Sequence, residues 1–319
     1  MARCAYKSHG YTFFEDHIYY PEQIISMNES GQMVSAVAVA RDGRFMGHAA
    51  LVYPELGARI AELTFVFVNV EYRGQGCMNR LCEFLFSEAP SKHELSGIYA
   101  YAVTNHPYTQ KAMVKYGIND CGLLLATSPA SWEFKGIAAD ASQRISVLLS
   151  FKYLEPAQQL TLYPPDRHRE MIGRLYRNLG AAPLLETPSP EAGSFPSAPS
   201  VFSTTVYESE GCAEIYVSRF GADAVHEIRK ALRALCLRQV AAVNLFLPLQ
   251  EPATFCVTSE LEQLGFFFAG VLPETPIGDA LILQYLNNVP LDYGKIVLYT
   301  DMAKEIMAYS KACDPNASL

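Results

Sequence analysis

The sequence predicts a mixed α/β fold, with a mixed sheet, that is used twice in tandem. Its 319 residues are enough for two domains at about 150 residues each. Half of the residues are hydrophobic (50%) and 18% are charged, so the chain can bury two cores and is not disordered. Hydrophobic periodicity gives the order strand-helix-strand-helix-strand-strand at residues 60–153, and the same order again from residue 213 onward.

Turn and cap residues predict the elements of the first half in order. A proline at a first helical position and a glycine near the end indicate a short helix. Two β-rich runs on either side of Asp42-Gly43 predict a hairpin, and a third run should pair beside them. Helices and strands then alternate, and the half ends in two strands. The predicted elements are 21–32, 33–40, 45–54, 60–70, 77–89, 97–103, 107–116, 118–126 and 145–153.

The second half begins near Glu155-Pro156. Its first helix is predicted at 167–180, and a stretch with five prolines at 182–200 is predicted to be a loop. The remaining elements repeat the order of the first half. They are predicted at 202–207, 213–219, 222–238, 240–249, 252–264, 266–273 and 279–287.

Charge and composition exclude several classes of protein. The chain has 25 Lys and Arg against 33 Asp and Glu, a net charge of −8, and no basic cluster, which argues against a nucleic-acid partner. No apolar run approaches the roughly 18 residues that span a bilayer, and the N-terminus lacks the apolar segment of a signal peptide. Eight cysteines form no CxxC pair and seven histidines show no ligand spacing. We therefore expect a cytoplasmic protein with reduced thiols, no membrane partner and no metal.

The strongest local signal is a glycine-rich loop between a strand and a helix. The strand VFVNV leads into Glu71–Gly76, and the helix begins at Cys77. Unpaired N–H groups and the helix dipole favour an anion at such a helix end, and the glycines let the backbone approach it closely. Arg73 and Arg80 add positive charge. The loop lacks the GK[ST] of a Walker motif and a complete GxGxxG, so an ordinary tight turn is the alternative.

This loop resembles motif A of the GNAT superfamily of acyl-CoA-dependent N-acyltransferases, in which (Q/R)-x-x-G-x-(G/A) binds the pyrophosphate of CoA. The match runs from Arg73 to Met78, with Met78 at a position that is Gly or Ala in the family. Residues 104–117 resemble motif B, and the likeness covers most of residues 10–153. In the second half the corresponding loop, 217–222, has no Gly-x-Gly.

The resemblance implies a GNAT-like acyl-CoA-binding domain at residues 1–155 and a degenerate GNAT-like domain at 156–319. Only about eight residues precede His9-Gly10. The first strand of the family fold is therefore expected to be missing, replaced, or lost from the gene model.

The resemblance also implies the residues that hold the donor. The pantetheine arm of acetyl-CoA would pair with a splayed strand, and a backbone N–H near Val68 would polarise the acyl carbonyl. Asn105 would bind pantetheine or CoA, with a plain helix N-cap as the alternative. The expected cofactor-binding residues are Phe67, Val68, Val70, Arg73, Gly74, Gln75, Gly76, Cys77, Met78 and Asn105.

Glu62 and Tyr108 are the catalytic candidates. Glu62 occupies the place of a base in several family members, and desolvation in its apolar strand would raise its pKa. Its alternatives are an ion pair with a neighbouring strand or a solvent-facing position. The family's acid, a tyrosine in motif B, corresponds to Met113 here, so Tyr108 or Tyr116 would have to substitute, and Tyr108 is the candidate.

Three further residues have weaker functional interpretations. His48 either faces the acceptor site or is a hydrogen-bonded structural residue. Cys77 sits at a helix N-terminus, which would lower its pKa, but the family transfers the acyl group directly. Trp132 lies in an irregular stretch that either covers the active site or is an exposed loop.

The resulting hypothesis is an N-acetyltransferase that moves acetyl from acetyl-CoA to an amine by direct attack. The second copy would buttress the fold, shape the acceptor site or mediate pairing, which leaves a homodimer open. The alternative is a non-catalytic acyl-CoA sensor or regulatory interaction protein, which the missing tyrosine and Met78 favour. A structural dimerisation protein without ligand is a third reading.

Overall fold

A computed structural model describes residues 1–13, 15–92, 94–138, 141–189 and 195–317. The chain forms two compact units. The first unit consists of Met1–Tyr101, Ala130–Ser142 and Lys152–Glu155. The second consists of Ala102–Pro129, Gln143–Phe151 and Pro156–Leu319.

The first unit contains a run of strands with helices before and after it. The predicted elements of this region are present, and α1 is a helix that the sequence pattern did not indicate. The elements are α1 (Ala2–His9), α2 (Pro21–Glu29), β1 (Met33–Val39), β2 (Phe45–Val52), β3 (Ile60–Val68), α3 (Cys77–Lys92) and β4 (Gly97–Val103), whose last two residues belong to the second unit.

Strand pairing in the first unit follows the chain order. β1 and β2 form the predicted antiparallel hairpin, and β3 pairs antiparallel with β2. β4 then pairs parallel to β3, with Ile60 opposite Gly97 and Glu62 opposite Tyr99. In the described part of the unit the parallel pairing stops there, so the rest of β3 runs without a partner on β4.

A β-bulge in β3 changes which side chains share a face. Thr64 is opposite Ala50, whereas Phe67 is opposite His48, so the two residues of β3 in between face the single residue Ala49 of β2. Phe65 takes up the irregularity with a φ of 50°. Because Ala50 and His48 lie on one face of β2, Thr64 and Phe67 also share a face, which plain alternation forbids.

The two faces of this sheet are covered by different helices. A Cβ at Gly47 would lie 2.9 Å from Cys77 Sγ, so the Gly47 face packs closely against α3. The opposite face buries Phe65 and Phe67 against α1 and the segment that follows it. The buried cluster there contains Cys4, Ala5, Ile18, Met33, Ala50, Phe65 and Phe67.

The second unit holds a seven-strand arrangement in the order β6-β5-β12-β13-β11-β10-β9. The sequence predicted most of these elements, but not α8 or the short β7 and β8 strands. The elements are α4 (Tyr108–Lys115), β5 (Asn119–Ser128), β6 (Ile145–Tyr153), β7 (Thr161–Leu162), α5 (Arg169–Asn178), β8 (Leu184–Leu185), β9 (Val201–Tyr207), β10 (Cys212–Arg219), α6 (Ala224–Leu237), β11 (Ala242–Pro248), α7 (Pro252–Gln263), β12 (Phe267–Thr275), β13 (Gly278–Leu286) and α8 (Asp301–Cys313).

Two pairing details recur in both halves of the chain. β10 and β11 pair in parallel with Cys212 opposite Ala242 and Glu214 opposite Asn244, which is the arrangement of Ile60 and Glu62 on β3. β5 and β12 share a second signature. Each has a register shift ending at a glycine, Gly122 or Gly270, and a left-handed residue four positions later, Ala126 or Glu274.

The compact units do not divide at the predicted boundary of residue 155. β5 belongs to the first half of the sequence, yet it pairs with β12 through Gly122 and Gly270 inside the second unit. The predicted boundary is based on the order of elements along the chain, whereas the two compact units are defined by which strands pair in space. The tandem copies at 1–155 and 156–319 therefore stay a prediction about the sequence.

Candidate functional site

The loop after β3 has the backbone geometry of an anion cradle. Gly74 and Gly76 adopt φ values of 73° and 74°, and a Cβ on either residue would meet nothing within 4 Å. The first intrahelical bond of α3 runs from Arg80 N to Gly76 O at 3.2 Å. In the described chain the N–H groups of Gly74, Gln75, Gly76 and Cys77 donate to no protein acceptor, so they remain available to a ligand.

Side chains within the loop hold its shape. Asn69 Nδ2 donates to Phe45 O at 3.3 Å, and Asn69 Oδ1 accepts from Glu71 N at 3.5 Å. Gln75 Nε2 donates to Glu71 O at 3.0 Å. The Gln75 side chain is therefore used by the loop itself, and its contribution to a ligand would come from its backbone.

Arg73 is held by the helix that the sequence did not predict. Its NH2 donates to Ser8 Oγ at 3.1 Å, and the buried Ser8 belongs to α1. The carbonyl of Ser8 in turn accepts from Lys135 N at 2.8 Å. Arg73 is half-buried while Arg80 is exposed, so Arg73 both links the loop to α1 and places a positive charge beside it.

The other predicted donor-binding positions differ in exposure. Phe67 is buried, Val68 and Met78 are half-buried, and Val70 is exposed. Cys77 is buried against the sheet, and burial raises the pKa of its thiol, an effect larger than the opposing charge of Arg80. The expectation that the helix end lowers the pKa of this thiol is therefore wrong.

Glu62 is half-buried on β3 between Val52 of β2 and Tyr99 of β4. Its position is within the paired part of β3, before the bulge. The bulge places Glu62 and Phe67 on the same face of the strand, five residues apart. Its role as a base stays a prediction.

Asn105 and Tyr108 belong to the second unit. Pro107 is the N-cap residue of α4, so the interpretation of Asn105 as a plain N-cap is wrong. Among the described residues, Oδ1 and Nδ2 of Asn105 are buried without a hydrogen-bond partner. Tyr108 is 61% exposed and contacts the ring of His106, and Met113 is buried. The predicted grouping of Asn105 and Tyr108 with the loop residues stays a prediction.

His48 has the geometry of a hydrogen-bonded structural residue. The residue is 3% exposed, and Nδ1 lies 2.9 Å from the carbonyl oxygen of Phe65 at the bulge. Burial lowers the pKa of His48, an effect that this hydrogen bond opposes. The residue also borders a groove of about 480 Å³ between α2 and the β1–β2 hairpin, with mostly apolar walls.

The first unit contains an aromatic cluster around His9 that the sequence did not reveal. His9 Nδ1 lies 2.8 Å from Glu133 O, and the ring is surrounded by aromatic side chains 5.2–6.3 Å away between centroids. These are Phe13, Phe67, Trp132 and Phe134. Phe67, Trp132 and Phe134 are remote from His9 in the chain, so no spacing rule could have grouped them with it. Trp132 thus packs on His9 instead of forming an exposed loop.

The described residues contain neither a cluster for a metal ion nor a helix that could cross a membrane. Those residues contain no cluster of three or more His, Cys, Asp or Glu side chains that could hold a metal ion. Within the same part of the chain, every helix is too short or too polar to cross a membrane.

Comparison with known proteins gives a family match and several similar structures. The acetyltransferase (GNAT) family model matches residues 3–117. A search of the curated proteins gives no match. Nourseothricin acetyltransferase is 19% identical, with 39% of this chain and 66% of that chain covered and a TM-score of 0.31.

Two further similar structures are acetyltransferases. The ribosomal-protein-S18-alanine N-acetyltransferase from Escherichia coli is 15% identical, with 44% and 80% of the chains covered and a TM-score of 0.35. The phosphinothricin acetyltransferase from Sinorhizobium meliloti, in complex with AcCoA, is 16% identical, with 44% and 71% covered and a TM-score of 0.36. The match to the acetyltransferase (GNAT) family therefore concerns residues 3–117 of the chain.

Proposed function

We propose that this protein transfers the acetyl group of acetyl-CoA to an amine by direct attack. The observation that supports it is the course of β3 in the first unit. The strand leaves its parallel partner after Glu62, bulges at Phe65 and continues into a loop whose N–H groups are free at the start of α3. An unpaired strand edge and a free helix N-terminus in succession suit a long molecule that ends in phosphates.

Different parts of acetyl-CoA would bind to different residues of the first unit. The pyrophosphate would lie on the N–H groups of Gly74–Cys77, with Arg73 supplying positive charge. The pantetheine amides would pair along β3 after the bulge, which leaves the thioester near Phe67 and Val68. An N–H at Val68 would stabilise the oxyanion that forms when the amine attacks.

The transfer balances without a metal or a covalent enzyme intermediate. A C–N bond forms between the amine and the acyl carbon, and the C–S bond to CoA breaks. One amine proton must leave before attack because an ammonium has no lone pair, and a second leaves after it. The thiolate of CoA takes up a proton and departs as the thiol.

The acceptor is proposed only as an amine. The similar structures act on acceptors as different as nourseothricin, phosphinothricin and a ribosomal-protein alanine. The net charge of −8 mildly favours a cationic amine.

Calorimetry with acetyl-CoA, followed by thiol release across an amine panel, tests the proposal. Binding with a Kd in the micromolar range and amine-dependent thiol release would support it. Binding without release for any amine would favour the sensor alternative. A Kd above millimolar would contradict both.

A glycine pair in the first unit gives a matched test of the loop. Gly76→Ala puts a Cβ on a residue with φ 74°, and Gly43→Ala does the same at φ 83° in the β1–β2 turn. Neither Cβ meets an atom within 4 Å, so both variants should lose about 1 kcal/mol of stability for the same backbone reason. We expect Gly76→Ala to raise the Kd for acetyl-CoA at least tenfold, because the loop N–H groups move. An equal Kd in the two variants would remove the loop from the site.

A further inference from the structure

The imidazole of His9 has one nitrogen fixed by the protein. A carbonyl oxygen can only accept a hydrogen bond, so the 2.8 Å contact with Glu133 O requires Nδ1 to carry the proton. In the neutral ring Nε2 then has the free lone pair. His9 is thus oriented with its basic atom directed away from the segment that holds it.

The surroundings of His9 favour the neutral form. Burial lowers the pKa of His9 below its usual range, and the nearby Arg73 guanidinium adds to this, while the bond to Glu133 O opposes it. The other charged groups of the segment packed on His9 are Glu133 and Lys135, whose side chains pair with each other at 3.2 Å. A neutral imidazole at neutral pH can accept a proton.

Nε2 is not used by the protein. Among the described residues it has no hydrogen-bond partner, and it is not one of the fully buried atoms that lack one. The aromatic rings around His9 exclude bulk water from most of the imidazole, and the residue as a whole is 9% exposed. A substrate group could therefore reach Nε2 while the rest of the ring stays dry.

His9 lies at the part of β3 where the thioester is expected. Its ring centroid is 6.3 Å from that of Phe67, and its neighbour Ser8 binds Arg73. Glu62 is on the same face but five residues upstream, which is roughly 16 Å of strand. Of these two potential bases, His9 is the one next to the unpaired end of β3.

We propose that His9 is the general base of the acyl transfer, with Nε2 as the atom that receives the amine proton. This inference rests on the proposed function, because it concerns the same reaction. Nε2 takes one proton from the acceptor ammonium, the neutral amine then attacks the acyl carbon, and the C–S bond breaks. The second amine proton goes to the departing thiolate, and His9 returns its own proton to solvent.

His9→Asn is the informative variant. The Asn amide can still donate to Glu133 O in place of Nδ1–H, but it has no basic nitrogen. We expect the Kd for acetyl-CoA to stay within threefold and amine-dependent thiol release to fall at least 100-fold, the usual size of a lost general base. The wild type should lose kcat/KM as the pH falls below its His9 pKa, and this acid limb should disappear in the variant.

His48→Asn is the matched control. His48 lies in the same unit and its Nδ1 also contacts a backbone carbonyl, and it is opposite Phe67 on β2, where it lines the groove beside α2. The acid limb should persist in this variant. Turnover of His9→Asn within threefold of wild type, an unchanged acid limb, or loss of acetyl-CoA binding together with turnover would each overturn the role of His9. Absence of thiol release by the wild type would instead overturn the proposed function, and the role of His9 with it.

Discussion

Glu62 on β3 and Glu214 on β10 occupy the same register position in the two predicted copies. Each is the third residue of its strand and follows an alanine, and each faces a residue of the parallel partner strand. The second copy lacks the glycine loop, yet it keeps the carboxylate. A structural use of this position is therefore available without acyl-CoA, which weakens the assignment of Glu62 as the base and agrees with a separate base at His9.

Glu214 gives a prediction about pH and stability. Tyr207 donates to Glu214 Oε2 at 3.2 Å, and burial raises the pKa of Glu214 from 4.5 to about 7. The folded protein then holds a proton that the unfolded chain has lost between these values, so this group's contribution to stability falls as the pH rises from 4.5 to 7. We expect Glu214→Gln to reduce the drop in Tm between pH 5 and pH 8. The exposed Glu260→Gln is the control, and equal drops in both variants would contradict the prediction.

Arg73 and Arg219 stand at corresponding places in the two copies but in different surroundings. Arg73 donates to Ser8 beside the glycine loop, whereas Arg219 at the end of β10 donates to Pro199 O at 3.2 Å. We expect Arg73→Glu to weaken acetyl-CoA binding at least tenfold, since it places a negative charge next to the phosphates, and Arg219→Glu to change the Kd less than twofold. Calorimetry measures both. Similar losses would show that the loop of the first copy is not the anion site.

At the level of elements, the junction of β5 and β12 depends on the absence of two side chains. A Cβ at Gly270 would lie 2.3 Å from the Cα of Gly122 and 2.5 Å from Cys121 O, and no rotamer relieves a clash with backbone. We expect Gly270→Ala to destabilise the protein by about 3 kcal/mol in urea unfolding. Gly180→Ala, which has a φ of 79° and open space around its Cβ, should cost about 1 kcal/mol. Equal losses of stability in the two variants would mean that β5 and β12 can move apart at Gly270 without a loss of stability.

The elements themselves show where periodicity succeeds. The hairpin at Asp42-Gly43 and the helix after Gly76 follow from local rules, and both are present. The bulge at Phe65 was not predictable, because all four residues of Phe65–Val68 are apolar. The pattern is the same whether or not the strand shifts by one residue there. α1 was also missed, because it is only eight residues long and no capping side chain marks its start at Met1, although Gly10 ends it.

At the scale of the whole molecule, the two sequence copies are not expected to fold independently. The second unit contains residues 102–129 and 143–151 of the first copy, and Asp120 in β5 accepts hydrogen bonds from Ser150 and from Thr300 at the start of α8. A cut after Glu155 would expose the Gly122 edge of β5 and leave the buried Asp120 without one of its donors. The first copy therefore needs the second copy in order to fold, whether or not the second copy binds a ligand.

Separate expression of residues 1–155 and 156–319 checks this expectation. Each fragment alone should show no cooperative thermal transition, because β5 and β12 lose each other. Co-expression should restore a single soluble species with a cooperative transition. Two fragments that melt cooperatively on their own would show instead that the predicted boundary is also a folding boundary.

The sequence by itself determined the local chemistry of this protein. It gave the order of strands and helices, the glycine loop from Arg73 to Met78 and the resemblance to GNAT acyltransferases, because periodicity and turn residues act over a few neighbouring positions. Tertiary structure alone decided which distant residues meet. His9, Phe67 and Trp132 come together because a bulge reverses the alternation of β3 and a later segment packs on α1. Such contacts depend on the register of β3 beyond the bulge, and the all-apolar run Phe65–Val68 does not specify that register.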